Sequence, residues 1–128
     1  MKKTILIAMV AFSICSKLEN IPVSLQQPNG NMINCYVSGD EYYSRLHDGN
    51  DYTIVQSNNG YYYYAKYENN NIIPSIHRVN SINPKDINIP KNIKISKQDY
   101  LNIRDQYWQD VETRDAPSIG TINNLNVF

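Results

Sequence analysis

The side chains able to do chemistry in this chain are few. Cys35, His47, His77 and the acidic pair Asp40 and Glu41 are of the types that bind metal ions. A catalytic zinc takes three well-placed protein ligands and keeps a fourth position open. The two histidines lie thirty positions apart (77 − 47), each in a segment that reads as strand or loop. The metallopeptidase helix signature, His-Glu-x-x-His, is absent, and so are the nucleophile-elbow, P-loop and dinucleotide patterns. The residues therefore predict no catalytic centre, cofactor or metal site within this chain. His47 reads instead as a strand-end residue hydrogen-bonded to a turn.

Tyrosines offer a second kind of chemistry. Tyr61, Tyr62, Tyr63 and Tyr64 are consecutive, and in a strand consecutive side chains alternate between faces. Two rings are then expected inward in the core, with two outward as a binding surface for a glycan or a protein. Cys35 also has two readings: a small buried hydrophobe in a strand, or a thiolate ligand for zinc.

Composition narrows the partners. Lys plus Arg equals Asp plus Glu at 12 each, and no basic patch marks a nucleic-acid footprint. Lys85, Lys91, Lys94 and Lys97 are the nearest approach to a cluster, and Asp86 and Asp99 interrupt them. The first residues read as a signal peptide, residues 1–16. Lys2 and Lys3 precede an uncharged apolar run over 4–14, too short to cross a bilayer core about 30 Å thick. Cleavage after Cys15 or after Ser16 fits, and lipidation of Cys15 is the alternative. Export to the periplasm, cell surface or medium is expected, with no stable membrane span. Loss of Cys15 with the signal would leave Cys35 as the single thiol, so no internal disulfide is available to the mature domain.

The elements that position these residues are mostly short strands. Residues 22–26 alternate apolar and polar, Pro28-Asn29-Gly30-Asn31 supplies a turn, and residues 32–37 return, which predicts a hairpin. Residues 42–47 read as strand or as one helical turn. A second hairpin is predicted from 52–56 and 61–66 around Ser57-Asn58-Asn59-Gly60. Ile72-Ile73 reads as a short strand, Pro74-Ser75 as a break, and 76–79 as another extended piece. Residues 80–95 form an irregular linker punctuated by Pro84 and Pro90. Ser96 with Asp99 is a capping-box-like start. Tyr100, Ile103, Tyr107 and Val111 then recur at helical spacing, which predicts an amphipathic helix over 96–113. The fold expected is mainly β, a small antiparallel hairpin-based domain over 17–79 with one carboxy-terminal α-helix, α+β overall. Residues 114–128 read as a connector and a first strand whose sheet partners are missing.

Several of these segments, in this order, resemble one family. The Gly39-Asp40-Glu41-Tyr42-Tyr43 step, Asp51-Tyr52-Thr53-Ile54-Val55 and Gly60 followed by the four tyrosines and Ala65 look like the amino-terminal pro-region of secreted M6-family (immune-inhibitor-A-like) zinc metallopeptidases. Ile21-Pro22-Val23 and Gln27-Pro28-Asn29-Gly30 extend the match upstream, and Gly120-Thr121-Ile122-Asn123-Asn124-Leu125 resembles the start of that family's catalytic domain. The resemblance implies a pro-region that assists folding and holds a zinc peptidase latent, its partner being that peptidase domain in cis or in trans. The zinc would belong to the peptidase. Latency-ligand candidates toward that zinc are Asp40, expected to project outward at the strand break after Gly39, together with Cys35 and Glu41. The alternative is an autonomous secreted binding module using the tyrosine face.

Exported protein is expected to begin near Ser16 or Lys17. Intact-mass measurement checks this: a retained Met1 contradicts it, and a diacylglycerol mass on Cys15 supports the lipoprotein alternative.

Overall fold

Residues 17–115 are described by the structure, a computed structural model. The expected signal segment with Cys15, and the expected carboxy-terminal connector and strand from residue 116 onward, lie outside them. Six strands run in sequence order across one antiparallel sheet: β1 (Leu18–Gln26), β2 (Met32–Gly39), β3 (Ser44–His47), β4 (Thr53–Gln56), β5 (Tyr62–Glu68) and β6 (Asn71–Arg78). A single α-helix, α1 (Lys97–Asp115), follows a 3-10 turn at Pro84–Asp86. The mainly β domain with one carboxy-terminal helix is the architecture that the hairpin signals predict.

Three of the turns share one design. Loops 27–31, 48–52 and 57–61 each close with two backbone hydrogen bonds, as in Gln27 N–H to Asn31 O and Gly30 N–H to Gln27 O, both 2.8 Å. The fourth residue is left-handed in each: Gly30 (φ 88°), Asp51 (φ 69°) and Gly60 (φ 83°). Asn29, Asp48 and Asn59 tie the loops further, each accepting from the amide of the loop's last residue. The predicted pairing of β4 with β5 follows, with Ile54 opposite Tyr64 and Val55 opposite Tyr63.

The sequence reading of 72–79 needs correction. Pro74 does not break the chain; β6 is one continuous strand. It lies at the sheet edge, where a residue without an N–H forfeits no ladder bond. The β5–β6 pairing is irregular between Tyr63 and Ala65, and Ala65 is opposite Pro74. The turn between β5 and β6, Asn69-Asn70, has positive φ at both residues (49° and 63°), the geometry of a type I′ turn. The opposite edge strand, β1, also carries a proline, Pro22.

Strand alternation divides the sheet into two faces. Ile33 and Cys35 of β2, Ile54 of β4 and Tyr64 of β5 form the core with Tyr52 and Val79, and Val23, Leu25, Leu46, Tyr62 and Ile89 pack against it. The reverse face carries Ser38, Arg45, His47 and Thr53. Residues 80–95 are a strap across both faces. Ile89 packs on the core, whereas the carbonyl of Ile93, itself 1% exposed, accepts from the Thr53 hydroxyl at 2.8 Å on the reverse side. Asn92 N–H adds a bond to Asp51 O at 2.7 Å, and Tyr67 Oη bonds both the amide and the carbonyl of Lys94.

Gly39 is the described glycine least able to take a side chain. Its φ is 148°, and a Cβ there would collide with the Tyr43 carbonyl oxygen and stand 2.5 Å from Ser44 Cα. Gly30 is left-handed too, yet a Cβ there meets nothing within 4 Å. Gly39→Ala is therefore expected to lower unfolding free energy by about 3 kcal/mol or more, and Gly30→Ala by about 1 kcal/mol. Denaturant titration of both variants checks the ranking, and equal losses would contradict it.

Candidate functional site

The turn between β2 and β3 is where the sheet meets the helix. Asp40 Oδ1 accepts from the amides of Tyr42 (3.0 Å) and Tyr43 (3.1 Å), which folds the loop back on itself. Its other oxygen accepts the Tyr100 hydroxyl at 2.7 Å. Tyr42 sits edge-on to Tyr100 and Tyr107, with ring centroids 6.1 and 5.4 Å away. α1 begins where the capping signal predicts: Ser96 Oγ accepts the Asp99 amide at 3.0 Å and donates to Oδ2 at 2.6 Å. It runs past the expected end at 113 to Asp115. Its apolar strip is only partly covered. Ile103, Tyr107 and Trp108 remain 40%, 47% and 51% exposed.

The candidate latency ligands sit in very different surroundings. Asp40 was expected to project outward from the strand break; its carboxylate is instead committed to the loop and to Tyr100. Partial burial raises its pKa, but the bonds from Tyr100, Tyr43 and Tyr42 together bring it below the ordinary value. Cys35 is a free thiol 2% exposed in the core, and burial pushes its pKa up, which keeps it a protonated apolar group. Glu41 is exposed on the same loop.

The tyrosine strand splits between faces as alternation dictates, but it leaves no open platform. Tyr64 is 4% exposed in the core, edge-on to Tyr52, and burial pushes its hydroxyl pKa up to about 12. Tyr62 packs beside it. On the reverse face Tyr61 lies under the Arg78 guanidinium at 4.0 Å, and Tyr63 Oη accepts from Asn59 Nδ2 at 3.0 Å. All four are buried or half-buried. The exposed aromatics are Tyr67, near the end of β5, and Tyr107 and Trp108 on α1.

Strand-end His47 does bond to its turn. Its ring is 3% exposed, with Nδ1 2.8 Å from Asp48 O and Nε2 2.8 Å from Ser38 Oγ. A carbonyl only accepts, so Nδ1 carries the proton, and in the neutral ring Nε2 accepts from the serine hydroxyl. Tyr36 stacks on the ring at 5.9 Å. The nearby Asp51 carboxylate is 3.9 Å from Nδ1 and turned to Arg45. Ser38 Oγ in turn accepts the Asn20 amide at 2.9 Å. These contacts pin the imidazole between two strands. Among the described residues no His, Cys, Asp and Glu side chains group as a metal site.

Ser38, Arg45 and His47 border a cleft of about 530 Å³ that sequence reasoning missed, because its residues come from distant segments. The available signal was the polar side chain at alternate positions of otherwise apolar strands: Ser38 beside Val37, and Arg45 and His47 around Leu46.

No helix among the described residues is long and apolar enough to cross a membrane. No protein-family profile, curated protein or solved structure matches the chain.

The Asp40–Tyr100 bond makes the helix contact pH-dependent in a definite sense. Asp40 has a depressed pKa, so its contribution is present above the usual value of 3.8 and is lost as pH falls below it. The bond to Asp40 pushes Tyr100 up to about 12, so its contribution holds below the usual 10.0 and is lost as pH rises through about 12. Trp108 fluorescence is expected to stay constant from near neutrality to mild acid and to change only beyond these limits. Tyr100→Phe should abolish both transitions; a transition centred between pH 5 and 8 would contradict the assignment.

Proposed function

We propose that the chain is the pro-region of a secreted M6-like zinc metallopeptidase, that it assists folding of the peptidase domain, and that it keeps that enzyme latent by covering it. One observation carries the reading: α1 leaves Ile103, Tyr107 and Trp108 largely exposed around the contact by which Tyr100 and Tyr107 meet Asp40 and Tyr42. Large aromatics of this kind, uncovered and fixed on a rigid element, are the residues that dominate protein interfaces. The resemblance supplies the identity of the partner. Of its four most specific segments, three fall on the Gly39 bend, on the 48–52 turn leading into β4, and on β5, and the fourth, 121–125, lies outside the described residues.

Coverage is preferred to metal ligation for reasons of availability. Presenting Asp40 to a zinc ion would cost its bonds to two amides and to Tyr100. Cys35 would have to leave the core. Neither cost applies to the helical strip. The zinc in this reading is the peptidase's own, and the pro-region contributes shape and apolar surface.

Addition of the purified chain to its cognate peptidase domain during refolding should raise the recovered enzyme and suppress its activity until the chain is cleaved. Replacing both Tyr107 and Trp108 by Ala should weaken inhibition by roughly 30-fold or more, with far-UV circular dichroism unchanged, and Cys35→Ala should leave it intact. A chain that neither aids refolding nor inhibits would overturn the proposal.

A further inference from the structure

The cleft on the reverse face plays no part in the coverage reading. We infer that it is a binding site for a short neutral oligosaccharide. At about 530 Å³ it falls within the roughly 300–1,000 Å³ usual for small-molecule sites. Its floor is built in advance. The Arg45 and His47 side chains are 8% and 4% exposed. Arg45 is held by Asp51 and by Thr53 Oγ1, and His47 by Ser38 and Asp48. A floor already immobile loses little entropy when a ligand arrives.

Charge selects against an ionic ligand. Lys17, Arg45 and Lys94 border the cleft together with Glu19, Asp40, Asp48 and Asp51, and the most deeply placed cation, Arg45, is already paired with Asp51. What remains unused is amide chemistry. Asn20 and Asn92 face the cleft from opposite segments, the start of β1 and the strap. Among the described residues neither side chain makes a hydrogen bond, although both backbones do. Each carboxamide offers an acceptor oxygen and a donor NH₂. Adjacent sugar hydroxyls, each both donor and acceptor, match that pair. Tyr43 and Tyr100 add aromatic surface for the C–H faces of pyranose rings.

Backbone geometry concentrates at the same place. Asn20, Asp51 and Asn92 have φ of 52°, 69° and 56°, a conformation that persists in non-glycine residues where surrounding bonds fix it. The Asn92–Asp51 backbone bond and the Asn20–Ser38 bond do so here. An extended peptide is the poorer occupant. It would seek a free strand edge, and Pro22 and Pro74 interrupt both edges.

The test is titration of the ¹⁵N-labelled chain with cellobiose, maltotriose and N,N′-diacetylchitobiose, with sulfate and a short acidic peptide in parallel. At least one saccharide should saturably shift the side-chain amides of Asn20 and Asn92 and the Nε–H of Arg45. Asn20→Gly and Asn92→Gly keep the left-handed backbone and remove the carboxamide; each should weaken binding about tenfold. Tyr63→Ala should leave it unchanged. The inference is overturned by saturable shifts with none of the saccharides, by binding that survives both glycine variants or depends on Tyr63, or by a preference for sulfate or the acidic peptide.

Discussion

An open sheet has two faces, and among the described residues no second sheet covers either. The hydrogen bond from the Thr53 hydroxyl to the Ile93 carbonyl marks how the chain meets that constraint. Residues 80–95 leave the edge strand, press Ile89 onto the core, and come round to fix Asn92, Ile93 and Lys94 against the reverse side. Thr53 also accepts from Arg45, so one buried hydroxyl joins the strap to the floor of the cleft. Cys35, the free thiol among the described residues, lies buried in the core, so within those residues the strap is tied down by hydrogen bonds and packing alone. The buried polar groups that result are all partnered: no buried side-chain nitrogen or oxygen among the described residues lacks a hydrogen bond.

Much of this was legible locally. Asn-Gly pairs fixed the first and last of the three similar loops, alternation marked 22–26 and the tyrosine run as two-faced strands, and Ser96 with Asp99 announced the helix. The failures have one physical source, interactions between residues far apart in sequence. Pro74 looked like a break because its consequence depends on whether the strand has a neighbour on both sides, and β6 has one. The strap read as a linker because its apolar residues have no period; Ile93 is buried by contacts forty positions away. Asn69-Asn70 was a hairpin signal hidden in an asparagine run.

The candidate site divides the same way. Cys35 as a buried hydrophobe followed from its place in an alternating strand. Asp40 looked ready to project because it follows Gly39, but the helix that supplies Tyr100 returns from sixty residues downstream. The tyrosine run drew attention by composition, yet Arg78, Asn59 and the core engage it. The less conspicuous Tyr107 and Trp108 stay uncovered. Fold and surface thus divide into a strapped sheet with its core, and a helix joined to it through the Asp40–Tyr100 bond and the Tyr42 ring.

Native-state hydrogen exchange on the full chain tests that division most directly. The amides of Val79 and Asn92, bonded to Tyr62 and Asp51, should exchange only with global unfolding, together with the β4–β5 core. Amides of α1 should exchange through a much smaller opening that leaves the sheet intact. Strap amides opening with the helix while the sheet stays closed, or helix and core amides exchanging as a single unit, would contradict the account.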